Sequence, residues 1–365
     1  MDITDYRKQA GDMIALARCA VNGQTPDAAL TAQLDLPALF EVCQKHILTA
    51  CVAYALESAG IRDSAFTEAK EKAIRKNIIL DTERKKILKR LEEEKIWYLP
   101  LKGAVMKDWY PRLGMRQMSD NDILFDPQGR ERVRAIMEDL GFTCVHFGKS
   151  KDDGYQKPPV CNFEMHNALF SAVHPDALQV YYEDITPKLL PMPGTEYGRC
   201  FRDEDFYLYV LAHEYKHYAF GGTGVRSLLD FDIILRRLGS KMDRAYLERE
   251  LKKLGLTKFE QQNRLLAEKI FRDGAALTDA EKETLDYYVT SGVYGNREKW
   301  TENVLKQQGS RLRYLLYRVF PPMDQIKVSD PFFYRHKWLM PVLWFWRLIR
   351  GRNRAKTEMK YLFKK

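Results

Sequence analysis

The sequence predicts an α+β protein in which a small mixed sheet lies between two helical segments. The stretch from Thr67 to Glu94 is almost free of Gly and Pro and repeats apolar residues at helical spacing. Short apolar runs then interleave with one amphipathic helix, and helical patterns return from Asp203 onward. The expected segments are a helical N-terminal segment at 1–95, a core containing the sheet at 96–190, a helical segment at 191–320 and an aromatic, basic tail at 321–365.

The individual elements follow from local patterns. Expected strands cover Trp97–Leu101, Asp122–Phe125, Phe142–Phe147 and Val160–Leu169, and the first of them runs into a turn at Lys102-Gly103. Expected helices cover Arg130–Leu140, closed by Gly141; Asp203 as N-cap to about Ala219; Arg226–Leu238; and further helices over 243–318. Pro321-Pro322 is expected to break this last region.

Composition limits the class of protein. Apolar residues make up 45% and charged residues 30%, which is typical of a globular chain. The net charge of +9 favours anionic partners such as nucleotides, nucleic acid or acidic lipid. The six cysteines form no CxxC pair, and the polar N-terminus does not resemble a signal peptide. We therefore expect a cytoplasmic protein with reduced thiols.

Carboxylates occur on two expected strands. Asp120 and Asp122 are two residues apart at the start of a strand, so both side chains should project to one face. On a later strand, alternation places Glu164 on one face with Asn162 and His166. The alternate residues would face the core: Cys161, Phe163 and Met165. Carboxylate oxygens grouped in this way favour Mg²⁺ or Mn²⁺.

Positive charge and a glycine turn lie nearby in the sequence. Gly103, between a strand and a helix, would let phosphate oxygens approach main-chain N–H groups. Lys102 and Arg116 could add positive charge at the phosphates. A D-x-D pair alone is common by chance, so the prediction depends on the order of these parts along the chain.

These motifs resemble a known family. Five motifs carry the likeness: Leu101-Lys102-Gly103, the R-x-M-x-D-N-D-I-L run of residues 116–124, Phe163 to His166, a helix with two histidines, and the R-x-L-L-D of residues 226–230. In this order they resemble the bacterial uncharacterised nucleotidyltransferase family, which belongs to the DNA-polymerase-β-like superfamily. The resemblance covers roughly residues 35–330. In this chain the glycine turn reads Gly103-Ala104, where the superfamily usually has Gly-Ser or Gly-Gly.

The resemblance implies a polymerase-β-like nucleotidyltransferase core and a reaction that moves a nucleotide from an NTP to an unidentified acceptor. It implies that Asp120, Asp122 and Glu164 bind Mg²⁺ or Mn²⁺ and carry the chemistry. Glu164 would complete a second metal site or act as base for the acceptor hydroxyl. The expected nucleotide-binding residues are Lys102, Gly103, Arg116, His166, His213 and His217. The acceptor could be a small molecule, a protein side chain, a glycan intermediate or RNA, so nucleic acid remains an alternative partner.

A second motif supports a different function. His213-Glu214-Tyr215-Lys216-His217 matches H-E-x-x-H, which on a helix can bind Zn²⁺ with the glutamate as base of a hydrolase. Asp230 or Asp232 could supply the third ligand. The cation Lys216 inside the motif counts against zinc, and we favour the interpretation that the histidines line the nucleotide groove. A further alternative is a binding or scaffold protein that keeps the fold with weak catalysis.

The C-terminal tail combines aromatic and basic residues. The apolar run from Trp338 to Ile349 is shorter than the ~20 residues of a spanning helix. Cations follow it at Arg350, Arg352, Arg354 and Lys356. This pattern fits a helix on an anionic membrane surface, which would place the protein at the inner face of the membrane, and it fits equally a terminal helix docked on the body.

Overall fold

The computed structural model describes residues 1–171 and 176–349. Five helices come first, and aspartate side chains accept hydrogen bonds from first-turn N–H groups at the start of four of them. They are α1 (Ile3–Asn22), α2 (Ala28–Ala32), α3 (Leu36–His46), α4 (Thr49–Ser58) and α5 (Ser64–Glu93). The long helix expected after Thr67 is confirmed as α5.

A mixed five-stranded sheet follows; the sequence predicted a small mixed sheet here and four of its five strands. Its elements are β1 (Tyr98–Pro100), α6 (Gly103–Met106), β2 (Asn121–Phe125), α7 (Arg130–Asp139), β3 (Thr143–His146), β4 (Asp152–Lys157) and β5 (Cys161–His166). The strand order is β1-β2-β5-β4-β3. The β2–β5 pair is parallel and the other three pairs are antiparallel.

The central strand pair separates an apolar face from a polar one. Ile123 and Phe125 of β2, with Phe163 and Met165 of β5, are buried in a core that α5 and α7 cover. Asp122 and Glu164 alternate with these residues and therefore lie on the opposite face. The alternation expected on the strand of Glu164 is confirmed, because the core also contains Cys161.

The second half of the chain is mostly helical. Its elements are α8 (Asp176–Tyr182), β6 (Leu189–Pro191), β7 (Arg199–Phe201), α9 (Asp203–Phe220), α10 (Val225–Leu238), α11 (Arg244–Leu254), α12 (Thr257–Glu268) with a π-helical turn at Lys269–Asp273, α13 (Asp279–Ser291), α14 (Arg297–Gln308), α15 (Arg311–Val319), α16 (Met323–Ser329), α17 (Pro331–Arg335) and α18 (340–349). The break expected at Pro321-Pro322 is confirmed, since α16 begins directly after it.

Three details of the expected elements were wrong. Arg202 occupies the N-cap of α9, and Asp203 is the first helical residue. The β6–β7 hairpin lies partly in a region expected to be helical. Strand β4 was not expected, because its sequence DDGYQK lacks apolar alternation; pairing with β5 along its whole length forms it nevertheless.

One large core joins the N-terminal helices to the later helices as far as α13. Buried side chains of α1, α3 and α4 pack together with those of α9, α10 and α12, and Leu124 reaches this core from the polar face of the sheet. The helices that precede the sheet in the sequence and those that follow it therefore pack together around one core. The segment boundaries expected at 95, 190 and 320 remain predictions.

The C-terminal helices belong to neither main core. Val304 and Tyr314 form one small cluster, and Ile326, Met340 and Leu343 form another. No described helix is long and apolar enough to cross a membrane. The basic residues expected to follow the aromatic run, Arg350, Arg352, Arg354 and Lys356, lie outside the described residues.

Candidate active site

Three acidic side chains meet on the polar face of the sheet. The parallel register pairs Asp122 of β2 with Glu164 of β5, and Asp120 lies two residues before Asp122, just ahead of the strand. Carboxylate oxygens of Asp122 and Glu164 and a ring nitrogen of His166 lie within 4.8 Å of one another. Burial, and next the charge of Asp122, raise the pKa of Asp120. The geometry thus brings together all three carboxylates that the sequence singled out.

Asp122 is the most enclosed of these acids. Its Oδ1 lies 2.7 Å from His166 Nε2, and its Oδ2 lies 2.9 Å from Lys102 Nζ. Burial alone would raise the pKa of Asp122, but Lys102 and the hydrogen bond from His166 hold that pKa well below its usual range. Asp122 is therefore a carboxylate anion that already holds one cation.

This donor set fits a divalent metal ion. Carboxylate oxygens are the ligands that Mg²⁺ and Mn²⁺ prefer. The ammonium group of Lys102 already occupies a position beside Asp122, which shows that this carboxylate attracts positive charge. A divalent ion would be attracted to the same position. Glu164 is the accessible member, with 34% of its side chain exposed against 5% for Asp122. A metal ion at this place would compete with Lys102 for Asp122.

His166 lies beneath the carboxylates rather than in the open cavity. Its Nδ1 is 2.9 Å from Lys151 Nζ, and its side chain is 2% exposed. Because an ammonium group can only donate, Nδ1 accepts from Lys151 and the proton on Nε2 is donated to Asp122. These contacts make His166 a residue that positions Asp122. Direct contact between His166 and nucleotide stays a prediction.

A cavity of about 370 Å³ opens over the carboxylates. It is lined by side chains from the sheet, from α9 and α10 and from the loop after α13, and these include every expected site residue except His166. The cationic side chains in the lining are Lys102, Arg116, Lys151, Lys216 and Arg226. The cavity thus has acidic groups on the sheet and cationic groups around them.

The lysines of the cavity affect each other's charge. Burial, and then the ammonium groups of Lys151 and Lys102, lower the pKa of Lys216 to about 7. Burial and Lys102 likewise lower the pKa of Lys151. Burial would lower the pKa of Lys102 too, but the neighbouring anionic groups, of which Asp122 contributes most, together outweigh burial and raise that pKa. An anion with several negative charges would relieve the repulsion between Lys151 and Lys216.

Arg116 is committed to an ion pair inside the protein. Its Nε and Nη2 donate to the two oxygens of Asp230 on α10 at 2.8 and 2.9 Å, and the Tyr110 hydroxyl donates to the same carboxylate at 2.7 Å. Both side chains of the pair are buried. Arg116 therefore joins the loop before β2 to α10. Its expected contact with phosphate stays a prediction.

The turn at Lys102-Gly103 has an unusual backbone. Lys102 has φ 42° and ψ −112°, a region that side-chain-bearing residues rarely adopt. A Cβ at Gly103 would collide with the guanidinium of Arg116 and with the side chain of Met118. Close packing against Arg116 and Met118 is thus a reason for glycine here, in addition to the expected approach of phosphate.

The histidine helix α9 also faces the cavity. His213 Nε2 lies 3.1 Å from Lys102 Nζ, and the rings of His213 and His217 are 4.7 Å apart. Burial, and next Lys102, lower the pKa of His213 well below its usual value. Glu214 accepts a hydrogen bond from Thr223 at 3.2 Å. The two histidines therefore lie one turn apart on the cavity wall, as expected.

This arrangement does not favour the zinc alternative. The ammonium group of Lys102 lies at the ring nitrogen that would bind the ion. Asp230 is held by Arg116, and Asp232 accepts hydrogen bonds from Arg236 at 2.6 Å and Arg272 at 2.8 Å. Within the described part of the chain, the side chains whose ligand atoms lie close enough together to share a metal ion are Asp122, Glu164 and His166, and α9 contributes none of them.

Two lysines and a tyrosine are among the cavity residues that sequence reasoning missed. Lys151 lies in a polar run directly before β4, the strand that was not expected. Lys216 was considered only as an argument against zinc. Tyr294 lies in the loop between α13 and α14, where no pattern marks it, and its side chain is 83% exposed over the cavity.

Comparison with known proteins assigns a family. The family model described as uncharacterised nucleotidyltransferase matches residues 32–272, which is more than half of the chain and includes all the carboxylates, lysines and histidines of the cavity. Neither the curated proteins nor the solved structures that were compared include a match. With the small mixed sheet and its paired acids in place, the chain belongs to the uncharacterised nucleotidyltransferase family.

Proposed function

We propose that this protein is a metal-dependent nucleotidyltransferase that moves a nucleotide from an NTP to a hydroxyl-bearing acceptor. The observation that carries the proposal is the parallel pairing of Asp122 with Glu164, beside Asp120, at the floor of a cavity with lysine walls. Such a cavity suits a ligand that combines a divalent cation with a polyanion.

Asp120, Asp122 and Glu164 would hold Mg²⁺ or Mn²⁺. When bound, the metal neutralises triphosphate charge and favours the ionised form of the acceptor hydroxyl. Around it, His166 keeps Asp122 oriented through its Nε2–H, and Lys151 fixes the tautomer of His166. The role of these residues is to fix the carboxylates before the substrate arrives.

The cationic wall would bind the triphosphate. Lys216 and Lys151 are the principal candidates, because anionic oxygens would offset their mutual repulsion. Lys102, once the metal replaces it at Asp122, would turn its ammonium group toward phosphate. Contributions from Gly103, Arg116, His166, His213 and His217 to nucleotide binding are part of the same proposal.

In the reaction the acceptor oxygen attacks the α-phosphorus, the bond from that phosphorus to the β-phosphate oxygen breaks, and pyrophosphate leaves. The acceptor hydroxyl loses one proton. Glu164 lies next to Asp122 with 34% of its side chain exposed, so it would either accept this proton or complete a second metal site.

The acceptor would bind in a neighbouring cavity of about 650 Å³. This cavity shares Ser119, Asp120 and Tyr294 with the first one, so a bound molecule would reach the carboxylates from the side. Its other polar lining residues are Gln44, Thr49, Lys72, Lys76, Gln117 and Asn162. Amides, hydroxyls and two lysines favour a polar acceptor. The proposal includes small molecules, glycan intermediates, protein side chains and RNA as acceptors. It also includes a cytoplasmic location for the protein.

The test is NTP turnover with Mg²⁺ or Mn²⁺, followed as pyrophosphate release and transfer of labelled α-phosphate to a panel of hydroxyl compounds. We expect Asp122→Asn to lose at least about 100-fold in rate, since a metal ligand is removed. Asp139→Asn, at an exposed position on α7, is the matched control and should keep the wild-type rate. Absence of NTP binding to the wild-type protein with either metal would refute the proposal.

One observation supports a second candidate, a nucleotide-binding protein with weak catalysis. Both oxygens of Asp122 already have partners within the chain, Lys102 and His166. If the Lys102 contact persists with nucleotide bound, the metal site stays incomplete. NTP binding by wild type without turnover for any acceptor would favour this candidate.

A further inference from the structure

The C-terminal helices carry an unusual share of exposed apolar side chains. About half of the exposed large apolar residues of the described chain lie in residues 312–349. The most exposed are Trp338 at 76%, Leu312 at 68% and Phe345 at 65%. The others are Leu315, Leu316, Phe320, Met323, Phe332, Val342, Trp346, Leu348 and Ile349.

Little packing holds these helices to the rest of the protein. In α15 only Tyr314 is buried, while Leu312, Leu315 and Leu316 face solvent. In α18 Met340 and Leu343 pack on Ile326, while Trp338 in the turn before the helix and Phe345 and Trp346 within it are exposed. By helical spacing, Leu312, Leu315 and Leu316 share one face of α15, and Val342, Phe345 and Trp346 share one face of α18. Exposed apolar faces of this kind are rare on a protein that has no partner for them.

Charge identifies the partner. Residues 311–349 contain seven lysines and arginines against two aspartates. One aspartate, Asp330, is already paired with Arg347 at 2.9 Å. In α15 the cations Arg311, Arg313 and Arg318 alternate with the exposed leucines. Exposed apolar side chains, tryptophans and an excess of cations in the same group of helices match a bilayer interface with anionic headgroups.

We propose that residues 311–349 form a surface that binds anionic membranes peripherally. Trp338 and Phe345 enter the headgroup region, and the cations contact lipid phosphates. The surface extends well before the aromatic run that the sequence pointed to, because α15 contributes its leucines and arginines. This inference does not depend on nucleotidyl transfer.

The test uses the full chain in flotation with vesicles of phosphatidylcholine alone or with roughly one third phosphatidylglycerol. We expect at least about tenfold stronger binding to the anionic vesicles, weakened by salt. The double variant Trp338→Ser/Phe345→Ser should lose at least about tenfold in binding, since two large apolar groups are removed. Val145→Ser/Val180→Ser removes exposed apolar groups elsewhere and should bind like wild type.

Charge is tested by Arg313→Ser/Arg335→Ser, which should weaken binding to anionic vesicles and leave the little binding to neutral vesicles unchanged. Equal binding of wild type to both vesicles, no binding to either, or full binding by Trp338→Ser/Phe345→Ser would each overturn the proposal. Light scattering of each protein adds a second readout. A dimer that Trp338→Ser/Phe345→Ser dissociates, without vesicle binding by wild type, would assign the surface to a second copy of the chain instead.

Discussion

The ion pair between Arg116 and Asp230 gives a prediction that separates anchoring from phosphate binding. Replacing Arg116 by Met leaves a buried carboxylate whose remaining partner is the Tyr110 hydroxyl. Breaking one side of a buried pair costs about 3–5 kcal/mol of folding free energy. Asp230→Leu should cost a similar amount, because it leaves the Arg116 guanidinium buried without its carboxylate.

The double variant Arg116→Met/Asp230→Leu removes both charges at once. Apolar replacement of a whole buried pair is often close to neutral, so we expect it to recover most of the stability that either single variant loses. The Tyr110 hydroxyl then loses its acceptor, which leaves a residual cost of about 1–3 kcal/mol. Urea unfolding followed by tryptophan fluorescence measures the three free energies.

Nucleotide affinity of the same variants decides the role of Arg116. If Arg116 acts only as an anchor, the double variant regains NTP affinity together with stability. If its guanidinium also contacts phosphate, the double variant regains stability but not affinity. Single variants within about 1 kcal/mol of wild type would refute the reasoning, because the pair would then contribute little to the fold.

Four further predictions concern the cavity. Lys102→Gly should be about 1 kcal/mol more stable to urea than Lys102→Ala, since only glycine relieves the positive φ; equal stability would show that the turn is not strained. Lys102→Met should bind Mn²⁺ in the absence of nucleotide more tightly than wild type, measured by titration calorimetry, because the ammonium group no longer competes for Asp122; weaker binding would contradict the proposed metal position. Burial and neighbouring lysines lower the pKa of Lys216 to about 7, so in the free protein this lysine loses its charge as the pH rises above 7. The NTP affinity of wild type should therefore fall between pH 7 and 9, while that of Lys216→Met should change less over the same range. Parallel pH profiles of the two proteins would exclude Lys216 from the triphosphate site. Ala69→Trp fills the neighbouring cavity, so it should abolish transfer to acceptors and keep NTP binding. The control Ala65→Trp, on an exposed turn of the same helix, should retain both activities. Transfer by Ala69→Trp would show that the acceptor binds elsewhere.

Strand alternation made the polar face of the sheet predictable. A period of two decides which side of a strand each residue occupies, and this was enough to separate Glu164 from Phe163 and Met165. The ends of α7, α9 and α10 were predictable to within about a residue, because a glycine follows each of these helices. These signals are local, so one sequence is sufficient to read them.

The missing parts depend on contacts between distant residues. The parallel register that pairs Asp122 with Glu164 joins strands 42 positions apart in the chain, and no local pattern determines it. Strand β4 exists because β5 offers a partner, and Lys151 went unnoticed with it. The contact between Lys102 and His213, which disfavours zinc, joins residues 111 positions apart. Spacing within H-E-x-x-H could not reveal it.

The two kinds of charge in the cavity have a consequence for how its ligands bind. A free divalent ion at Asp122 would meet the ammonium group of Lys102, and a free triphosphate would meet the carboxylates of Asp120 and Glu164. Bound together, the ion would shield the triphosphate from the carboxylates, while the triphosphate would give Lys102 another anion to contact. Each ligand therefore removes the main repulsion that opposes the other, and by linkage the two affinities must rise by the same factor. Such coupling would keep the carboxylates of this chain from binding metal tightly until a nucleotide is present.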